Sequence, residues 1–279
     1  MRARQAIQQA REQLKAAGCA EARREAQLIC AYLCCREPGQ LAFYLEQDID
    51  EARLKAVLRR RAAGEPLQYV LGEAGFMGLT FVLGPGALIP RADTEVLAEK
   101  AITLLKEAKA PRIADIGAGC GAIGLSLAYY LPTATVCGVD ISPDTLKWAN
   151  KNAAALGLGK RCRFYRGDLL APLSALDIHF DLIISNPPYL TAAEMAQLTP
   201  EVQQEPALAL AGGPDGLAFY RRLAQEAAPL LKPGGWLLVE HGWQQQEQVA
   251  ALLNQAGWQV LERLNDYGGR ARGLLASFL

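Results

Sequence analysis

From Pro111 onward, short runs rich in β-branched and aromatic residues alternate with longer stretches of helical spacing. The runs lie at residues 112–116, 134–139, 162–165, 180–185, 236–240, 258–264 and 274–278. Strands separated by helices are joined by crossover connections, which place the strands parallel in one sheet. The sequence therefore predicts an α/β fold with an open, doubly wound sheet. Ligands on such sheets bind beyond the carboxyl ends of the strands.

The chain before this region has a different character. Apolar residues three or four positions apart predict helices over residues 3–71, including one near residues 48–61 that Asp50 can cap. Residues 72–90 contain three early glycines, a strand-like run and the turn Gly84-Pro85-Gly86. We therefore expect a small helical domain over residues 1–74, a β-hairpin linker over residues 75–90 and the sheet domain over residues 91–279.

Charge and apolar content limit the classes of partner. Lysine plus arginine equals aspartate plus glutamate at 29 each, so no net positive field favours a stable nucleic-acid complex. The densest basic cluster, Arg59-Arg60-Arg61, is interpreted as a solvated helix end. No apolar run approaches the roughly 18 residues of a membrane span, and the N-terminus lacks a signal-peptide pattern. We expect a cytoplasmic protein without membrane contact, and a monomer, since nothing indicates a coiled coil.

Cysteine and histidine usage argues against disulfides and metal. The seven cysteines are odd in number and include no C-x-x-C pair, which is typical of reduced thiols. The two histidines, His179 and His241, have no neighbouring cysteine or histidine at metal-ligand spacing. We therefore expect no metal site.

A glycine-rich loop follows the first predicted strand of the sheet domain. It reads Gly117-Ala118-Gly119-Cys120-Gly121 and leads into an apolar helix, so its backbone can approach a ligand closely. Asp140 ends the second strand, where a carboxylate can accept from both hydroxyls of a ribose. Asp168 follows the third strand and can accept from an adenine amine. Together these residues predict an adenosine pocket, although the glycine spacing alone also fits a nicotinamide dinucleotide.

The fourth strand runs into the tetrapeptide Asn186-Pro187-Pro188-Tyr189. Two prolines fix an extended segment without N–H donors, so the segment presents acceptors to a cleft. The Asn186 side-chain oxygen and the Pro187 carbonyl can accept the two hydrogens of a planar NH2 group, while Tyr189 stacks on it. This arrangement favours attack by an amide nitrogen on a sulfonium methyl group, without a general base. It suits the exocyclic amine of adenine equally well.

Several further motifs carry a resemblance to a known family. They are the linker Leu88-Ile89-Pro90-Arg91-Ala92-Asp93-Thr94-Glu95, Glu205-Pro206, Gly212 to Leu217, Glu240-His241-Gly242 and Asp266 to Gly269. With the tetrapeptide, they make the whole chain resemble the HemK/PrmC glutamine methyltransferases, which act on peptide-chain release factors. The Gly212–Gly216 turn by itself is interpreted as loop geometry, whereas the resemblance suggests a place near a peptide channel.

The resemblance implies a Rossmann-like class I methyltransferase domain of seven-strand type and a helical domain that binds the release factor. It implies transfer of a methyl group from S-adenosylmethionine to the side-chain nitrogen (N5) of the glutamine in a Gly-Gly-Gln loop, with S-adenosylhomocysteine as product. By resemblance, cofactor-binding residues are Gly117, Ala118, Gly119, Cys120, Gly121, Asp140, Asp168, Leu169 and Asn186. The substrate-binding residues are Asn186, Pro187, Pro188 and Tyr189, of which Asn186, Pro187 and Tyr189 are implied to be catalytic.

Three other functions compete with this prediction. An adenine-N6 nucleic-acid methyltransferase would use the same tetrapeptide but would need a basic, aromatic-lined surface. A nicotinamide-linked oxidoreductase would need a proton donor that the expected positions lack. A non-catalytic adenosine-binding module would keep the pocket but would not depend on Asn186 for methyl transfer.

Overall fold

The computed structural model describes residues 1–278, apart from the side chains of Pro38 and Leu41. The predicted domain 91–279 therefore ends one residue outside the described part. The chain separates into two compact units. The first consists of residues 1–73 with residues 199–204, a segment that the sequence places within the range 91–279. The second consists of residues 74–198 and the chain from Glu205 onward.

The first unit is helical, as the sequence predicts. Asp50 caps its fourth helix by accepting from the backbone N–H groups of Ala52 and Arg53. Leu54 and Leu58 on that helix are buried together with residues of the first two helices. The helices are α1 Ala3–Ala16, α2 Ala22–Leu33, α3 Leu41–Tyr44, α4 Glu51–Ala62 and α5 Leu67–Leu71.

The interpretation of Arg59-Arg60-Arg61 as a solvated helix end is wrong for Arg61. The Arg61 side chain is only 4% exposed, and its guanidinium donates to both carboxylate oxygens of Glu25, at 2.6 and 3.0 Å. It also donates to Glu201, which belongs to the same unit. Residues spaced by one along a helix point in different directions, so one member of a basic run can face inward. Arg61 thus joins α2 to the returning segment 199–204.

A two-stranded hairpin of β1 Glu73–Phe76 and β2 Leu79–Val82 lies at the start of the second unit, although its first residue, Glu73, belongs to the first unit. Met77 and Gly78 form its turn with φ of 51° and 70°. Positive φ at both central residues is typical of the turn whose twist matches a two-residue hairpin. The hairpin thus covers residues 73–82, whereas the sequence analysis expected a hairpin linker over residues 75–90. The helices that follow are α6 Glu95–Leu105, α7 Ala122–Tyr130, α8 Pro143–Ala155, α9 Ala171–Ser174, α10 Ala192–Met195, α11 Ala218–Glu226 and α12 Gln246–Gln255.

A seven-stranded sheet forms the centre of the second unit, with strand order β5-β4-β3-β6-β7-β9-β8. Strands β3 and β6 are buried along almost their whole length, as expected for strands with helices on both faces. The chain order reverses between β3 and β6, which makes this the switch point where ligands bind. The strands are β3 Arg112–Ile116, β4 Thr135–Asp140, β5 Cys162–Arg166, β6 Phe180–Ser185, β7 Leu231–Glu240, β8 Trp258–Asn265 and β9 Ala271–Phe278.

The sheet confirms the predicted fold class, with one local difference. Strands β3 to β7 are parallel, but β9 runs antiparallel to both β7 and β8. Only residues 266–270 separate β8 from β9, which is too short for the crossover that a parallel pair needs.

Among residues 1–278, no helix combines the length and apolar character needed to cross a membrane.

Candidate active site

The glycine loop lies between β3 and α7 at the switch point. Gly117, Gly119 and Gly121 all have positive φ, at 73°, 58° and 86°. Side chains with a Cβ atom rarely adopt this backbone, so the loop requires glycine at these positions. The N–H groups of Gly117 and Ala118 donate to the Val139 carbonyl, which holds the loop against the end of β4.

Asp140 ends β4 directly beside this loop. Its carboxylate accepts from the N–H of Gly119 and from the N–H of Ser142, both at 2.9 Å. Burial raises the pKa of Asp140, while these backbone donors act in the opposite direction. Each carboxylate oxygen keeps further lone pairs, so the group can still accept from two ligand hydroxyls.

Asn152 on α8 makes contacts that the sequence did not predict. Its side-chain amide accepts from the N–H of Val82 and donates to the Val82 carbonyl, at 2.7 and 2.9 Å. The same NH2 group donates to the carbonyl of Cys120 at 2.9 Å. One buried side chain therefore connects the hairpin to the glycine loop. Nothing in the spacing of Asn152 along α8 could have indicated these partners.

Asp168 and Leu169 follow β5 and both lie along the same cavity. Arg222 on α11 donates to both carboxylate oxygens of Asp168, at 2.8 and 2.9 Å. Leu169 has φ 47°, which is unusual for a residue other than glycine, and its side chain is largely buried. Asp168 thus reaches the cavity with a basic partner that sequence reasoning missed.

The acceptor tetrapeptide, Asn186–Tyr189, leaves β6 at the same edge. Asn186, Pro187 and Pro188 line the cavity. The Asn186 side-chain nitrogen donates to the Thr94 hydroxyl at 3.2 Å. Because the nitrogen is occupied in this way, the side-chain oxygen is free to accept from a ligand.

The fourth tetrapeptide residue, Tyr189, is not among the residues that line the cavity. Its ring packs against the buried core, and its hydroxyl donates to Glu240 Oε1 at 3.4 Å. Its backbone carbonyl accepts from Gln245 Nε2 at 2.9 Å. Tyr189 therefore anchors the end of the tetrapeptide beneath the cavity wall.

The Gly212–Gly216 turn lies directly behind the tetrapeptide. The N–H of Leu190 donates to the Leu210 carbonyl, and the N–H of Gly212 donates back to Leu190. A Cβ atom on Gly212 would lie 2.6 Å from the Tyr189 Cα, so any larger residue would displace the segment. The turn is thus a support for the acceptor wall, which is more than ordinary loop geometry.

The linker motif forms the third wall of the cavity, through Leu88 to Arg91 and Thr94. Glu205, which is 5% exposed, accepts from the N–H of Ile89 at 2.9 Å and from the Arg91 guanidinium. A buried carboxylate thus fixes the backbone of this wall.

A second polar cluster lies behind Tyr189, at the end of β7. Glu240 is 2% exposed, and burial raises its pKa to about 7 although the Thr94 hydroxyl and Arg272 act to lower it. Arg272 in turn donates to Asp93 and Asp266, at 3.0 and 3.1 Å. The sequence motifs contained these residues, but the contacts between them join positions up to 179 residues apart.

The cavity encloses about 210 Å³ and is lined mainly by apolar side chains with a few polar groups. The glycine loop and Asp140 form one side, and Asn186 to Pro188 form the other. A nucleoside-type pocket thus opens onto a wall of hydrogen-bond acceptors at the switch point of a Rossmann-like sheet. This combination defines a class I methyltransferase.

Comparisons with known proteins agree with this class. A family model described as a methyltransferase domain matches residues 107–267, and one described as the PrmC N-terminal domain matches residues 5–72. A solved methyltransferase from Pyrococcus furiosus is similar in fold, with a TM-score of 0.52 and 18% identity, over 81% of this chain and 98% of that one. A 16S rRNA N2 G1207 methyltransferase of T. thermophilus, solved with AdoMet and guanosine, has a TM-score of 0.51 at 20% identity. It is matched over 74% of this chain and 50% of its own.

Curated relatives narrow the class to one family. The release factor glutamine methyltransferase of Moorella thermoacetica is 44% identical over 99% of this chain and 98% of its own length. That of Agrobacterium fabrum is 39% identical over 95% of this chain and 93% of its own. The chain belongs to the release factor glutamine methyltransferase family.

Proposed function

We propose that this protein transfers a methyl group from S-adenosylmethionine to the N5 nitrogen of the glutamine in the Gly-Gly-Gln motif of peptide-chain release factors. Family membership supports the substrate class. The observation that carries the proposal is the contact of Asn186, a residue of the cavity wall whose nitrogen donates to Thr94, so that its oxygen keeps its lone pairs for a ligand. A free acceptor beside the Pro187 carbonyl suits an NH2 group that has two hydrogens to donate.

The donor side of the cavity fits S-adenosylmethionine. The Asp140 carboxylate would bind the two ribose hydroxyls, since its oxygens keep lone pairs beside their backbone donors. Residues Gly117 to Gly121 offer backbone groups to the methionine part, with Asn186 at the far end of the same pocket. Asp168 and Leu169 would contact the adenine, where Arg222 holds the carboxylate in place. When bound, the cofactor supplies a methyl group on a positively charged sulfur.

The acceptor wall makes a weak nucleophile reactive. An amide nitrogen is planar because its lone pair is delocalised into the carbonyl. The Asn186 oxygen and the Pro187 carbonyl would each accept one N–H, which stabilises positive charge on nitrogen as the new N–C bond forms and the S–C bond breaks. The two electrons of the S–C bond would leave with sulfur, which gives S-adenosylhomocysteine. The nitrogen becomes acidic after transfer, so water can remove its proton without a dedicated base.

Transfer of labelled methyl to purified release factor tests the reaction. The matched substrate carries Gln→Ala in the Gly-Gly-Gln loop, and total RNA and DNA are assayed in parallel. Label on the intact factor alone supports the proposal. Label on nucleic acid with none on the factor would contradict it and favour an adenine acceptor.

We further propose that the helical unit is the docking domain for the release factor, and that the sheet domain performs the transfer. The match of residues 5–72 to a separate family model supports a distinct role for this unit. Full-length release factor should therefore have a kcat/KM at least about a hundredfold above that of a short Gly-Gly-Gln peptide, since a second contact raises effective concentration. Equal kcat/KM values for the full-length factor and the short peptide would contradict a docking role for the helical unit. We expect the enzyme to act as a monomer in the cytoplasm, without stable nucleic-acid or membrane contact.

A further inference from the structure

Thr94 lies just before α6 and lines the cavity, yet its side chain is only 4% exposed. Its hydroxyl oxygen accepts from the Asn186 nitrogen at 3.2 Å. A hydroxyl that accepts one hydrogen bond still has its own proton to donate. The direction of that proton decides whether the oxygen keeps a lone pair toward Asn186.

Glu240 is the carboxyl group beside Thr94. Its Oε1 accepts only a long hydrogen bond from Tyr189, and its buried Oε2 has no hydrogen-bond partner of regular geometry among the described residues. Hydrogen bonding from the Thr94 hydroxyl acts to lower the pKa of Glu240. A buried carboxylate oxygen without a donor is costly, so Glu240 provides the strongest acceptor for the Thr94 proton.

The orientation of an Asn side chain depends on such partners, because its oxygen and nitrogen ends have nearly the same shape. If Thr94 donated to Asn186, the amide would turn its NH2 group toward the cavity. An NH2 group there would face the NH2 of the acceptor glutamine, and two donors cannot pair.

We propose that Thr94 and Glu240 are positioning residues: Glu240 accepts the Thr94 proton, Thr94 accepts from Asn186, and the Asn186 oxygen is thereby directed to the substrate amide. This inference rests on the proposed function and adds two residues to it. Neither residue touches the reacting atoms. Both act through the orientation of Asn186.

The first test removes the Thr94 hydroxyl without changing side-chain shape. Thr94→Val should lower kcat on release factor about ten- to a hundredfold, because the Asn186 nitrogen loses its acceptor and the amide loses its preferred direction. Thr94→Ser keeps the hydroxyl and should recover activity to within about threefold of wild type. The dissociation constant for S-adenosylhomocysteine should be the same in all three.

Ser126→Ala is the control, because Ser126 is a fully buried hydroxyl on α7 that does not line the cavity. It should leave kcat unchanged. Equal kcat for Thr94→Val and Thr94→Ser would overturn the inference. An equal loss in Ser126→Ala would overturn it as well, since any buried hydroxyl would then matter.

The second test uses pH, because Glu240 must be ionised to accept the Thr94 proton. Burial raises the pKa of Glu240 to about 7, so kcat should be full above that value and fall as the pH drops through it. Burial keeps Tyr189 and Tyr220 protonated and His241 neutral in this range by raising the first two pKa values and lowering the third. The groups facing Glu240 from other elements are Tyr189, Tyr220, Thr94, Asp93 and Arg272, the last bound to Asp266.

Burial also raises the pKa of Asp115, below the glycine loop, to about 7. Glu240→Gln therefore separates the part of the pH dependence of kcat that belongs to Glu240 from the part that belongs to Asp115. The variant should lose the acidic fall in kcat that belongs to Glu240 and should have a lower plateau. A wild-type-like profile in Glu240→Gln would overturn the inference even if Thr94→Val failed to fold. Absence of glutamine methylation by the wild-type enzyme would instead overturn the proposed function.

Discussion

Replacement of Asn186 by alanine tests the acceptor wall most directly. The change removes the oxygen that would accept one N–H of the substrate and leaves the Thr94 hydroxyl without its donor. A hydrogen bond to a group that becomes charged in the transition state contributes roughly 2–4 kcal/mol, as for a single oxyanion-hole donor. At 1.36 kcal/mol per decade, kcat should fall by about two to three decades.

The assay is initial-rate methyl transfer at saturating release factor and saturating S-adenosylmethionine, with donor affinity measured separately by calorimetry. Asn186→Asp is the matched control, because it keeps an oxygen in the acceptor position and should lose less than Asn186→Ala. A loss of less than threefold in Asn186→Ala would refute the proposed role. A parallel loss of donor affinity would show instead that Asn186 serves the cofactor.

Three further predictions concern other parts of the molecule. Asp140→Ala should weaken S-adenosylhomocysteine binding about ten- to a hundredfold, by loss of charge-assisted hydrogen bonds, and calorimetry would detect it; unchanged affinity would exclude a ribose contact. Gly212→Ala should lower kcat at least about tenfold by displacing the acceptor tetrapeptide, since its Cβ would meet backbone at 2.6 Å, whereas Gly159→Ala, with open space around it, should not. Equal rates for these two variants would contradict the supporting role of the turn. Arg61→Ala should destabilise the first unit by about 3–5 kcal/mol in urea unfolding, because it leaves the Glu25 carboxylate, which is 12% exposed, without its partner, and Arg59→Ala should cost under about 0.5 kcal/mol.

Local patterns predicted the fold well where burial is continuous. Strands β3 and β6 have the predicted bounds, since both are short apolar runs between clear turns. Strand β7 begins five residues earlier than the predicted run, at Leu231, because Pro233 and the glycines after it suggest a turn. The antiparallel direction of β9 follows from the length of the preceding turn, which strand patterns alone do not weigh.

The site residues also differ in whether a local sequence pattern predicts them. The glycine loop, Asp140 and Asn186 come directly after strands, so the sheet itself brings them together at one edge. The contact of Thr94 with Asn186 has no local signal, because it joins the linker to a residue 92 positions later in the chain. The position of Tyr189 also depends on the core behind it, which no spacing in the tetrapeptide reveals.

The amide of Asn152 has a consequence for how the hairpin is kept in register. Through its oxygen and nitrogen it pairs with both backbone groups of Val82, as one residue of a neighbouring strand would. An isolated two-stranded hairpin is only marginally stable in water. Here the side chain of Asn152 supplies the backbone hydrogen bonds that a third strand would otherwise make to Val82. The same amide reaches the Cys120 carbonyl, so the order of the hairpin and the order of the donor loop depend on one residue. Neither aspartate nor leucine could replace it, since one lacks the donors and the other lacks every polar atom.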